Sequence, residues 1–276
     1  MGVQKDVALS PCRGIVMTIF WLQQTGEEVP AHNDWLCATE SLRLQDMRFA
    51  KRRADWRLGR WTAKCAVVMY LGRPVETEFL SRIEIRQSFS GAPQVVLGGD
   101  PTVPSISLSH RAGTAMCAVG APGIALGCDL ETIEPRSDAF LADYFTFEEQ
   151  RLVDHAPAAD QAALMALLWS AKESALKALL QGLRLDTRSL NVKIVNGERI
   201  SSDSLPMAPG VIAHPSKTSI RACCQDVWSG LRVHNADRDG TLHGWWKRTE
   251  KLVWTLVAEL PLLPPVLLDH IYNPVV

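Results

Sequence analysis

The chain of 276 residues is poor in the material on which several protein classes depend. No apolar run approaches the ~18 uninterrupted residues that a membrane-spanning helix needs, because Pro, Lys, Glu or Asp breaks each of the longest ones. Residues 1–13 hold no basic start followed by an apolar stretch, and the later run 15–22 is short, so no secretory signal is expected. Neither a Cys-x-x-Cys nor a His-x-x-x-His pair occurs. The seven cysteines (12, 37, 65, 117, 128, 223 and 224) form an odd, scattered set, and the seven histidines are dispersed. Reduced, mostly buried thiols in a cytoplasm are therefore expected, in place of a disulfide framework or a zinc cage. Charge of one sign is also lacking: 29 basic against 30 acidic residues leave a net −1. The global charge thus gives no reason to expect a nucleic-acid or membrane-surface partner. With 47% hydrophobic and 21% charged residues, the composition is that of a globular chain and excludes a disordered one.

At ~150 residues per domain, the length fits one large domain or two small ones. The charge balance is not uniform along it. Residues 43–64 carry eight basic residues against Asp46 and Asp55, so 8 − 2 gives +6; residues 129–154 carry eight acidic residues against Arg136 and Arg151, giving −6. Such runs are ordinarily solvated helix faces and gain meaning only beside a site.

Residues 41–71 read as one long helix or two in series, ending at Leu71-Gly72-Arg73-Pro74. A loop-rich stretch follows, with turn signals at Ser90-Gly91-Ala92-Pro93 and Gly98-Gly99-Asp100-Pro101. Short strands are expected at 105–110 and 115–119, and Ala121-Pro122-Gly123 marks a boundary that divides residues 1–122 from 123–276. Residues 124–131 alternate, with Ile124, Leu126, Cys128 and Leu130 on one face and Gly127, Asp129 and Glu131 on the other. A strong helix is expected over about 161–181, with Asp160 as N-cap and Gly182 closing it. Antiparallel strands follow: a hairpin turning at Asn196-Gly197 after 192–195, then 231–234, 242–248 and 251–259. Helices and hairpins without a βαβ alternation argue for an α+β fold. Trp61-Thr62-Ala63-Lys64 is echoed by Trp169-Ser170-Ala171-Lys172, which, if more than chance, makes the chain a duplicated α+β unit.

Asp129 and Glu131, two apart on a strand, project from one face. Like charges ~5–7 Å apart repel unless a cation lies between them, so the pair suggests a hard divalent metal, although an ordinary half-exposed strand would look the same. Glu173 and Lys177, four apart on the helix, stack on one face. They could form a surface ion pair, or supply a third carboxylate and a lysine for the phosphates that such a metal bridges.

The motif Gly127-x-Asp129-x-Glu131, followed by Trp169-Ser-x-Lys172-Glu173-Ser-x-x-Lys177, resembles the 4′-phosphopantetheinyl transferases, in particular the larger, two-lobed, surfactin-synthetase-activating type. Ser107-Leu108-Ser109-His110 looks like the family's Ser-x-Ser-His segment. Asp34-Trp35-Leu36 and the stretch from Arg48-Phe49 through Arg57 look like its N-terminal Arg-rich helix.

The resemblance implies two similar α+β lobes related by pseudo-two-fold symmetry, residues 1–122 for the coenzyme A 3′-phosphate and 123–276 for the metal and the catalytic helix. Coenzyme A would lie in the cleft between them. Asp129, Glu131 and Glu173 would hold Mg²⁺, or Mn²⁺ in its place. The group transferred is 4′-phosphopantetheine, the acceptor is a serine of an acyl, peptidyl or aryl carrier protein, and adenosine 3′,5′-bisphosphate is released. Glu149, in Phe145-Thr146-Phe147-Glu148-Glu149, takes the position of the catalytic base, with Glu148 next to it in register. Lys172 and Lys177 would bind phosphates and offset developing charge, and Arg52, Arg53 and Arg57 would take the 3′-phosphate. Ser109 and His110 match coenzyme A contacts. Ala92 stands where relatives often carry a phosphate-binding lysine, which implies weaker coenzyme A affinity or compensation by Arg86 or another residue. Carrier docking is expected over 138–154 with Phe140, Tyr144, Phe145 and Phe147, where either the aromatics dominate or basic residues of the first lobe flank an acidic carrier. One chain of two lobes suffices as a monomer. The alternative is a non-catalytic coenzyme A- or carrier-binding relative. A metal-dependent phosphohydrolase is a further rival, against which the lack of more His or Asp motifs for a two-metal site speaks.

Overall fold

The computed structural model describes residues 17–100, 102–201 and 227–268. Strand β1 (Phe20–Thr25) leads to helices α1 (Ala38–Gln45), α2 (Ala50–Tyr70) and the single turn α3 (Thr77–Leu80). Strands β2 (Ile83–Gln87) and β3 (Pro93–Leu97) form a hairpin, and β4 (Ser105–Arg111) and β5 (Thr114–Gly120) a second one. After β6 (Leu126–Thr132) come α4 (Asp138–Tyr144), α5 (Phe147–Asp154) and α6 (Ala158–Ala178). The chain ends in β7 (Leu190–Ser201), β8 (Val227–Asn235), β9 (Gly240–Arg248), β10 (Leu252–Ala258) and β11 (Val266–Leu267). One sheet has the order β11-β1-β5-β4 and another β6-β10-β9-β8-β7, so the fold is mixed α+β with several sheets.

Helix α2 covers the first sheet, where Ala63, Val67 and Val68 pack with Leu22, Ile83 and Cys117. Helix α6 covers the second, with Leu168, Ala175 and Leu176 against Val192, Val233 and Val257. A third cluster joins Ile19, Trp21 and Met116 of the first sheet to Leu126, Cys128, Leu130, Trp228 and Trp254 of the second. Where β4 runs beside β6, side chains replace the backbone ladder. Ser107 Oγ accepts from the Cys128 amide at 3.0 Å, and Cys128 Sγ donates to the Ser107 carbonyl at 3.2 Å.

Several expectations change against these coordinates. Of the two readings of residues 41–71 the second holds: two helices in series, broken at residues 46–49, where no Gly or Pro signals a stop. The break has a tertiary cause: Lys64 of α2 reaches Glu40 of α1 at 2.5 Å with both buried, so the chain must turn back between them. The loop-rich stretch contains the β2–β3 hairpin, with Gly91 at φ 90° in its turn. Asn196-Gly197 does not turn the chain. Strand β7 runs straight through these residues, and the register shift between Ile194 and Arg199 absorbs them as a bulge, the other use of glycine in a strand. Helix α6 begins after Pro157 rather than at Asp160, and Leu180 at φ 56° takes the left-handed position two residues before Gly182. Ala121-Pro122-Gly123 lies in the turn between β5 and β6. The 123–276 segment nevertheless returns to the first sheet, because β11 pairs in parallel with β1.

Cys37, Cys65, Cys117 and Cys128 form no disulfide, and Cys12, Cys223 and Cys224 lie outside the described residues. Burial pushes the Cys117 and Cys128 thiols up. Among the described residues no helix is long and apolar enough to cross a membrane.

Candidate active site between β6 and α6

Gly127 sets the distance between β6 and α6. A Cβ there would stand 1.8 Å from the Ser174 carbonyl oxygen and 2.8 Å from the Ala178 amide nitrogen, so the helix backbone lies directly on the strand. Two residues on, by the period of a strand, Asp129 and Glu131 emerge on the same face and meet α6. Glu173 and Lys177 are nearly aligned along the helix and flank Ser174. The roll of α6 is pinned from the other side. Ser170 and Ser174 share hydrogen bonds with Thr255 Oγ1 of β10 at 2.9 and 2.7 Å, all three buried.

The resulting cluster is strongly charged. Lys177 Nζ donates to Asp129 Oδ1 at 2.7 Å and to the Cys128 carbonyl at 2.9 Å. Ser109, on β4, donates to the same Oδ1 at 2.8 Å, so both halves of the chain orient this carboxylate. Asp129 Oδ2 is buried and has no hydrogen-bond partner. Glu131 Oε2 meets Arg136 at 3.0 Å and Arg111 at 3.5 Å. Burial, then the charge of Asp129, pushes the Glu131 carboxyl up in spite of Arg111, Arg136 and Trp169. Glu173 is also pushed up, first by burial and then by Asp129 and Glu131, against Lys177. For Lys177 burial is the largest influence and works downward, yet Asp129, Cys128 and Glu173 together outweigh it and the ammonium is raised.

Among the described residues, no three His, Cys, Asp or Glu side chains converge closely enough to hold a metal ion. Asp129, Glu131 and Glu173 are instead coupled through repulsion, with cationic side chains on two of them. The donor set, all oxygen, and the orphaned Asp129 Oδ2 are what a hard divalent cation would satisfy.

Glu149 and Lys172 are not brought into this cluster. Lys172 is one residue from Glu173, hence ~100° around the helix from it. Its Nζ lies 2.8 Å from Glu149 Oε2 and donates to the Thr187 and Leu190 carbonyls at 2.7 and 2.6 Å. Glu149 accepts from the Thr146 amide at 2.9 Å as the third residue of a capping box, and from the Val192 amide at 2.9 Å. Lys172 is fully buried and Glu149 is 2% exposed. A carboxylate with both oxygens engaged and no exposed surface does not present itself to an incoming hydroxyl, and a sealed ammonium does not present itself to a phosphate. Burial lowers the Lys172 ammonium, with Glu149 opposing. Glu148, one residue earlier, is exposed and accepts from Asn191 Nδ2 at 2.6 Å.

The basic start of α2 borders a cavity of about 430 Å³, lined by Phe49, Lys51, Arg52, Asp55, Trp56 and His110. Arg52 and His110, which are far apart in sequence, therefore come together. Arg53 and Arg57 turn elsewhere: Arg53 donates to the Met47 carbonyl at 3.3 Å, and Arg57 donates to the Pro30 carbonyl and, at 3.2 Å, to that of Ala31. Sequence reasoning missed Lys51 and Trp56 here, and Arg111 and Arg136 in the carboxylate cluster. Arg111 was open to detection, since it follows Ser109 by one strand period.

Ala92 sits in the β2–β3 turn, its carbonyl accepting from the Ser88 amide at 2.8 Å, and Arg86 is bound to Glu84 at 2.8 Å. Arg86 is therefore committed elsewhere. Of the aromatics at 138–154, Phe145 is fully buried and Phe140 packs edge-on to Trp169 at 5.1 Å, whereas Phe147 is 73% exposed. Phe147 and Leu152 of α5, with Tyr144 at the end of α4, are the apolar surface that remains there.

No curated protein matches the chain. The stretch that carries β6, α4, α5, α6 and β7, and with them all three candidate metal carboxylates, is similar to a known family: residues 125–226 match the model of the 4′-phosphopantetheinyl transferase superfamily.

Proposed function

We propose that the protein transfers the 4′-phosphopantetheinyl group of coenzyme A to a serine of an acyl or peptidyl carrier protein, as a cytoplasmic monomer of two pseudo-symmetric lobes. The observation that carries the reading is the joint placement of Asp129, Glu131, Glu173 and Lys177 at the β6–α6 contact, within the stretch that matches the family model. In the reaction the serine oxygen bonds to the β-phosphorus of coenzyme A. The bond from that phosphorus to the bridging oxygen breaks, and adenosine 3′,5′-bisphosphate leaves with the electron pair.

Each group has a task that its surroundings suit. Mg²⁺, or Mn²⁺, would be held first by the orphaned oxygen of Asp129, with Glu131 and Glu173 drawing in to complete the set, and would supply positive charge to the pyrophosphate. Lys177 fixes Asp129 and adds a cation beside it. With Glu149 sealed in its ion pair, the base for the serine hydroxyl would be the half-buried carboxylate of the cluster, Glu173. Arg52 and His110 take the 3′-phosphate in the cavity beside α2, with Trp56 as a flat wall. Arg53 and Arg57 tie α2 to the backbone at Met47 and at Pro30–Ala31 instead. The lobe pairing is supported by the two Trp-x-Ala-Lys helices, in which Lys64 and Lys172 are both fully buried.

The test is mass spectrometry of a panel of carrier proteins incubated with coenzyme A, Mg²⁺ and the protein. The expected result is a mass gain of one phosphopantetheinyl group that disappears in Glu173→Ala. Coenzyme A binding without any gain across the panel would favour the non-catalytic relative. For the cavity, Arg52→Ala is expected to raise KM for coenzyme A by about tenfold or more, the worth of one charge-assisted contact, with little change in kcat. An unchanged KM would remove Arg52 from the site.

A further inference from the structure

We infer that Glu149 and Lys172 are positioning residues, a buried lock that sets the roll of α6, and that the chain carries the same lock twice. The second copy is Glu40–Lys64. Glu40 is the third residue of α1 and accepts from the Cys37 amide in a capping box, as Glu149 does from Thr146 on α5. Its other oxygen accepts from the Ile85 amide of β2 at 3.0 Å, as that of Glu149 accepts from Val192 of β7 at 2.9 Å. Lys64 Nζ donates to two backbone carbonyls, Trp35 at 2.9 Å and Leu80 at 3.1 Å, as Lys172 does to Thr187 and Leu190. Each ammonium also stands 5.6 Å from an aromatic ring, Trp35 in one copy and Phe145 in the other.

The chemistry around the two copies differs. One and five residues after Lys172 come Glu173 and Lys177; one and five residues after Lys64 come Cys65 and Met69. The Glu40–Lys64 copy thus keeps every bond of the lock on a helix without the acid and the cation that a transfer site would use. An arrangement maintained without the chemistry serves to hold structure. What it holds is common to both halves: the start of a short helix, a strand amide and a loop are tied to one point on the long helix. In the second half that point is one residue from Glu173. Fixing Lys172 therefore aims Glu173 and Lys177 at β6.

This rests on the proposed transfer for its kinetic arm only. The experiment is a double-mutant cycle at each copy: Glu149→Gln, Lys172→Met and both together, then Glu40→Gln, Lys64→Met and both together. A lone substitution leaves a buried charge or a set of buried polar groups uncompensated, and each is expected to lower Tm by about 10 °C. Each double variant is expected to regain at least half of that loss, since an ion pair is removed whole. Glu149→Gln/Lys172→Met is also expected to recover transfer at least tenfold over the slower single variant, with the pH profile of kcat unchanged. The inference is overturned if Glu149→Gln keeps the wild-type Tm yet loses transfer a hundredfold, or if the double variant folds and is no faster than either single one. It is equally overturned if the two copies respond differently in Tm. Should the wild type modify no carrier, the transfer reading fails while the Tm arms still decide the lock.

Discussion

Gly127→Ala is expected to cost about 3 kcal/mol of stability or more and to slow transfer about a hundredfold. The added methyl would occupy a point 1.8 Å from a helix carbonyl, and the obstruction is backbone, which no change of rotamer can remove. Either α6 moves off β6 or β6 shifts in its sheet. Both movements separate Asp129 from Lys177, and both strain the hydroxyl contacts of Ser170 and Ser174 with Thr255. Thermal unfolding and the carrier-modification rate read the two effects. A variant within about 2 °C of wild type that transfers normally would mean that the strand and helix are not in the contact described.

Glu173→Gln is expected to behave in the opposite way on stability. The substitution keeps the shape and removes the charge. Glu173 faces the like charges of Asp129 and Glu131, and no cation lies within salt-bridge distance of it among the described residues, since Lys177 is bound to Asp129. The variant should melt at or above the wild-type temperature in the absence of metal. Transfer should fall by about 10²–10⁴-fold, the usual worth of a positioned base. A thermal shift with Mg²⁺ gives an independent reading, because the gain seen with wild type should shrink in Glu173→Gln. A clear loss of stability in the variant, with transfer intact, would reverse both assignments.

The part of the site legible in the sequence was the part written in local periods. Asp129 and Glu131 share a strand face, Glu173 and Lys177 share a helix face, and each pair needed nothing beyond its own element. Their meeting depends on Gly127, whose lack of a side chain is visible in the sequence but whose contact with Ser174 is not. Glu149 and Lys172 show the limit. A motif fixes residue identity, whereas the direction of a side chain around a helix follows from what covers it, here Phe145, Val192 and Leu190. The place of the split between α1 and α2 was hidden for a similar reason, as it depends on a distant lysine and no local breaker marks it. The glycine at 197 serves a bulge where the sequence equally suits a turn, because the two uses share one composition.

Strand β4 has a consequence for which ligands can be accepted. Ser109 leans toward Asp129, while the next residue, His110, opens on the opposite side into the cavity beside α2. Successive residues of one strand thus serve two different places, because side chains on a strand alternate between its faces. On the proposed reading, a ligand that engages both His110 and the acid cluster would have to reach from one face of β4 to the other, and a substitution that slips the register of β4 by one residue would exchange the two.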